Sequence, residues 1–388
     1  MDFSALRAFM DFMAQERTPG NAIEVYLKGE KVFSYASGFA DLENRVRLCG
    51  NEYYFIYSCS KVAAAAAGMQ LLEQGKLLAT DPLYAYFPEF REMQIRQGGE
   101  LRPAKNPITI GDLFSMTSGI DYGYEKTLEE IERVSGRVET LDYVRGLAKK
   151  PLNFEPGTEW EYGLSHDILA GVIEVVSGMK FSEYMRKNIF EPLEMQETTY
   201  RMTPEIADRM ASLYTFEVAD GASLDPVAAQ RMGNAEKGNF RKIEKNNFLV
   251  FSDSYDSGGA GIITTVSDYA KFAAALANGG TGLNGERILS PRTVELMKRN
   301  RLNLSEMKGF NWKQLTGYGY GFGVRTMVDP AAAGSLSSVG EFGWGGAAGS
   351  SVWIDTELNL GVFYAQHCLN PREEYYQPRL RNILYSCL

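Results

Sequence analysis

Histidine is almost missing from this chain: His166 and His367 are the only two among 388 residues. A multi-histidine metal centre is thereby excluded, and few imidazoles remain from which to build a nucleophile triad. Ser165-His166-Asp167 collects the residue types of such a triad, but triads assemble from distant segments and sequence neighbours do not converge. No serine sits in a G-x-S-x-G elbow either. Cysteine is scarce too. Cys49, Cys59, Cys368 and Cys387 are scattered, with no zinc-finger spacing, which argues for reduced thiols in a cytoplasm over a disulfide framework. Cys59 reads as a small packing residue. No stretch approaches the ~18 uncharged apolar residues of a spanning helix. The first fifteen residues set Phe3, Leu6, Phe9, Met10 and Met13 at helical spacing among charges, unlike the continuous apolar block of a signal peptide. Basic clusters are also lacking, and the net charge is −9, from 40 basic and 49 acidic residues. That balance disfavours a nucleic-acid partner. The expectation is an enzyme on small molecules, with no metal, other cofactor or membrane partner.

What the chain does have is apolar mass, 45% of residues with 12% aromatic, ample for a large core. It also has Ser58-Cys59-Ser60-Lys61, set before the alanine run at 63–67. Residues three apart on a helix lie roughly 5–6 Å apart at Cβ, so Lys61 can reach back to the Ser58 hydroxyl and take its proton. A helix beginning there aims free N–H groups and the positive end of its dipole at any anion formed on the serine. The same spacing recurs at Ser177/Lys180 and Ser305/Lys308. Ser177, however, closes an apolar helical pattern whose Gly178 reads as a C-cap, and Ser305 lies in a polar stretch. Only Ser58 follows an aromatic segment and opens a long small-residue helix over residues 62–74.

Residues 21–28 and 31–38 read as strands joined by a turn at Gly29-Glu30. Helical patterns follow at 110–116, 141–148, 168–176, 182–189 and 266–277, then another at 290–299. Strand patterns return at 320–327, 350–354 and 360–366 before a final helix at 372–385. Strands at both ends with helices between predict an α+β fold in which one antiparallel sheet is closed by the two termini. The expectation is one domain over 1–388, with an α/β part of about 1–71 plus 279–388 and a mainly helical insert of about 72–278.

From about residue 17 to the end the chain resembles the serine β-lactamase and penicillin-binding-protein superfamily, nearest its class C β-lactamase and family VIII carboxylesterase branch. The resemblance is carried by Ser58-x-x-Lys61, Pro19-Gly20, Gly38-Phe39-Ala40-Asp41, Ile108-Thr109-Ile110 with Thr117-Ser118-Gly119, Pro156-Gly157-Thr158, Gly259-Ala260-Gly261 and the glycines from Gly343 to Gly349. It implies a β-lactamase/transpeptidase-like fold and a covalent acyl-enzyme on Ser58. Tyr162 resembles the tyrosine of the family's Y-x-N motif, which implies a phenolate base paired with Lys61. Leu164 stands where that motif has asparagine, weakening the case for amide or β-lactam recognition. Trp344-Gly345-Gly346 aligns with the K-T-G or H-x-G element. This implies that the Ala347 and Ser58 N–H groups form an oxyanion hole and that a tryptophan replaces a carboxylate-binding cation. Tyr122 and Tyr124 fall where the family places a loop over the cleft and are expected to touch substrate. The implied activity is small-ester hydrolysis or acyl transfer. The alternatives are a β-lactamase, a D-amino-acid peptidase or amidase, and a binding module that has lost catalysis.

Overall fold

The computed structural model describes residues 1–122, 130–131, 133, 137–218, 238–243, 254–370 and 372–388. Its centre is an eight-stranded sheet, antiparallel throughout. The order is Tyr318–Tyr320, Arg325–Met327, Phe342–Gly345, Ser351–Asp355, Leu360–Gln366, Gly20–Leu27, Glu30–Asp41 and Val46–Arg47. The chain ends do meet in it, with Asn21 opposite Gln366 and Leu27 opposite Leu360.

Side chains along a strand alternate between faces, and here alternation sorts the core into two layers. Ile23, Val25, Trp353, Val362 and Tyr364 face the terminal helices Ser4–Glu16 and Glu373–Ser386, meeting Leu6, Met10, Leu380 and Leu384. Ala22, Val352, Ile354, Phe363 and Ala365 belong to the other layer, against the helix Val266–Ala277. Behind that helix runs Ser60–Glu73, buried on every side from Ser60 to Leu71. Its alanines let neighbouring helices approach closely, among them Ser165–Ser177.

Two sequence expectations are redrawn. Residues 320–327 form no single strand but a hairpin, Tyr318–Tyr320 with Arg325–Met327, whose turn holds Gly323 at φ +78°. The helix expected over 182–189 is Phe181–Met185 followed by a wider π-type turn, Arg186–Phe190. Phe342–Gly345 and the short pair Tyr53–Phe55 with Ile263–Thr265 are strands beyond those read from the sequence. Between residues 72 and 278 lies another hairpin, Leu213–Val218 with Gly238–Ile243, which Cys368–Leu369 extends in parallel. Among the described residues no helix is long and apolar enough to cross a membrane.

Candidate active site

The strand Tyr53–Phe55 delivers the chain to Tyr57, whose φ of +46° is costly for a residue with a Cβ. This bend starts a 3-10 turn, Tyr57–Cys59, before the α-helix begins at Ser60. Ser58 thus sits at the positive end of a helix and lines a cavity of about 600 Å³. Lys61, fully buried one turn on, uses all three ammonium hydrogens: to Ser58 Oγ at 3.2 Å, Tyr122 Oη at 3.1 Å and the Gly259 carbonyl at 2.9 Å. Burial alone would pull its pKa down, but Tyr122, Tyr162 and Asp167 outweigh it and hold the lysine above its ordinary value.

Tyr162 lies beneath that ammonium, its ring centroid 4.7 Å from Nζ. Burial pushes the phenol well above its usual range, opposed by the Lys61 charge and by hydrogen bonding with Ser58. Its oxygen also accepts the indole N–H of Trp344 at 2.7 Å, the two rings lying 5.2 Å apart. Trp344 therefore spends its polar handle on the phenol while its ring lines the cavity.

The strand Phe342–Gly345 is fastened directly to the serine turn. Cys59 Sγ contacts the Trp344 carbonyl at 3.6 Å, and Ser350 Oγ donates to the Ile56 carbonyl at 3.0 Å. A Cβ on Gly346 would collide with that same carbonyl and with Ser350 Oγ, so glycine permits the approach. Ala347 is exposed at the cavity wall. Neither its N–H nor that of Ser58 meets a backbone carbonyl among the described residues, which suits them to hold an oxyanion.

Gly345 and Gly346 also line the cavity, and Tyr122 stands at its lysine. Leu164 does not join them; it is buried in the core at the start of Ser165–Ser177. Tyr124 lies outside the described residues. Both histidines are buried and neither lines the cavity with Ser58: His166 lies against the Phe114 carbonyl, with burial lowering its pKa to about 3, and His367 between Ala211 and Phe55, lowered to about 4.

Sequence reasoning passed over Asp167, beyond setting its tripeptide aside. Buried in the first turn of Ser165–Ser177, it accepts from Tyr255 Oη at 2.7 Å, Ser257 Oγ at 2.6 Å and Gly259 N at 3.4 Å. Its other oxygen and Lys61 Nζ flank the Cα of Gly259, whose carbonyl holds the lysine. The available signal was a carboxylate in the first turn of a largely apolar helix.

A family model described as Beta-lactamase matches residues 6–385. Esterase EstB of Burkholderia gladioli is 28% identical over 375 residues, covering 92% of this chain and 88% of that protein. Two solved structures share the fold. EstCE1, a hydrolase with promiscuous acyltransferase activity, gives a TM-score of 0.78 at 23% identity over 98% of this chain and 97% of its own. A family VIII carboxylesterase gives 0.73 at 21% identity over 100% and 97%.

Proposed function

The chain belongs to the Beta-lactamase family, whose members are serine hydrolases, and from that premise we propose that it acts on small esters through an acyl-enzyme on Ser58. The observation that carries the reading is the convergence on Ser58 of the Lys61 amine and a Tyr162 phenol held by the Trp344 N–H.

Both basic groups are held above their ordinary pKa values, so at rest the pair is ammonium and phenol. The reactive form is the pair less one proton, shared between amine and phenolate, and the two titrate as a unit. Ser58 passes its proton to this pair as Oγ attacks the ester carbonyl. The N–H groups of Ser58 and Ala347 receive the oxyanion; one such donor contributes about 2.7–4 kcal/mol in the transition state. On collapse the alkoxide leaves with the proton from Tyr162. Water or a second alcohol then attacks the acyl-enzyme and gives its proton to the same pair, and on collapse Ser58 Oγ leaves the acyl group, takes that proton back and frees the product.

Esters are favoured over β-lactams because the position expected to hold a carboxylate-binding cation is Trp344, its N–H already engaged. Leu164, where an amide-binding asparagine would stand, faces the core. The names of EstB and EstCE1 agree with this direction. Turnover of p-nitrophenyl butyrate measured beside nitrocefin tests it. The ester should be the better substrate, and Ser58→Ala should lose at least about 10³-fold in kcat. Wild-type-like ester hydrolysis by that variant, or a preference for nitrocefin, would overturn the proposal.

A further inference from the structure

We propose that Glu373 makes the cavity beside Ser58 a subsite for a cationic or hydrogen-bond-donating group on the substrate, and turns carboxylates away. The inference rests on the reading of this cavity as the acyl-transfer site.

Glu373, Gln377 and Arg381 lie four residues apart on the helix Glu373–Ser386 and present one face to the cavity that Ser58 lines. Glu373 Oε1 accepts from Gln314 Nε2 at 2.9 Å. Oε2 stands 3.1 Å from where a Cβ on Gly345 would sit, so the carboxylate lies directly over the Trp344-Gly345 strand.

Two arginines of the same wall have hydrogen-bond partners other than Glu373. Arg325 forms a buried bidentate pair with Glu341 at 3.0–3.1 Å. Arg381, 6% exposed, donates to Tyr318 Oη at 2.7 Å while its Nε has no hydrogen-bond partner among the described residues, and Arg372 has contacts of its own. No ion pair within 4 Å reaches Glu373 among the described residues, and its neighbour Glu374 adds a second negative charge. Burial raises the Glu373 pKa, and the Gln314 hydrogen bond and the more distant charges of Arg325 and Arg381 offset this only in part. An incoming ammonium or amide N–H supplies what is missing, whereas a second carboxylate meets like charge in a partly dry site.

The test uses p-nitrophenyl ethyl phosphonates whose alkyl arm ends in an ammonium, a carboxamide or a carboxylate. Ser58 Oγ bonds to phosphorus and p-nitrophenolate leaves, so each inactivation rate reports the fit of the arm. In the wild type the ammonium reagent should react at least about tenfold faster than the carboxylate. The ratio should fall toward one in Glu373→Gln and invert in Glu373→Lys. A wild-type ratio at or below one, or a ratio unchanged in Glu373→Gln, overturns the inference. Ratios are read from labelling within each variant, so failure of the ester assignment registers separately, as absence of ester turnover.

Discussion

Lys61 and Tyr162 face each other as ammonium and phenol, and the groups around them set how easily the pair gives up a proton. Because both pKa values are raised and the reactive form lacks one proton, kcat/KM for esters should climb with pH throughout the range from pH 5 upward, while both histidines stay neutral down to about 3 and 4. No histidine inflection should interrupt that rise between pH 5 and 7. Two substitutions should move the alkaline limb in opposite directions. Trp344→Phe keeps a ring but removes the N–H that steadies the phenolate, so the limb moves to higher pH, with kcat about 10–100-fold lower at pH 8. Asp167→Asn removes the buried negative charge that helps keep Lys61 protonated, so the limb moves to lower pH even as kcat falls. A pH–rate profile of each variant decides it, and a purely structural Asp167 would lower kcat without moving the limb. Ser58 and Lys61 were legible in the sequence because one helical turn joins them. Tyr162 was legible only through resemblance, and Asp167 hardly at all, because Tyr255, Ser257 and Gly259 reach it from about ninety residues away.

Elements differ in legibility for similar reasons. The helix Ser60–Glu73 announces itself by its alanines, and Gly20–Leu27 and Leu360–Gln366 by β-rich patterns. Phe342–Gly345 carries two glycines in four residues and no β-branched side chain, so propensity does not mark it as a strand. Its place is fixed by tertiary pairing, Phe342 with Ile354 and Gly345 with Ser351, and by its seam with the serine turn. That seam has no spare volume at Gly346. Gly346→Ala must push the strand end away from Ile56, at a stability cost of about 1–3 kcal/mol, and would separate Ala347 from Ser58. Denaturant midpoints should fall modestly while ester kcat drops by about 10² or more, as expected when one oxyanion donor is displaced. A variant that lost stability but kept kcat would show that the oxyanion site lies elsewhere.

At the scale of the molecule, the sheet closed by both chain ends fixes where the serine turn meets the strand beside it, and His367, just past the strand Leu360–Gln366, ties that sheet to the segment before the serine turn. Its Nδ1 lies 2.7 Å from the Ala211 carbonyl, and its Nε2 accepts the Phe55 N–H at 3.3 Å, just before the serine turn. That arrangement requires a neutral ring, since a proton on Nε2 would face the Phe55 N–H. Burial accordingly holds the folded pKa at about 4, below the unfolded value of about 6.5. The unfolded chain therefore takes the proton first. The stabilising contribution is complete above about pH 6.5 and drains away as pH falls toward 4. By linkage it shrinks by about 2 kcal/mol at pH 5. Denaturant unfolding of the wild type at pH 7 and pH 5 should show this loss, with a further share from His166, lowered by burial in the same sense. In His367→Gln the drop between those two pH values should be smaller by about 2 kcal/mol, even if the variant is less stable at pH 7. An identical drop in both proteins would mean that this imidazole is charged, or free to become so, in the folded chain.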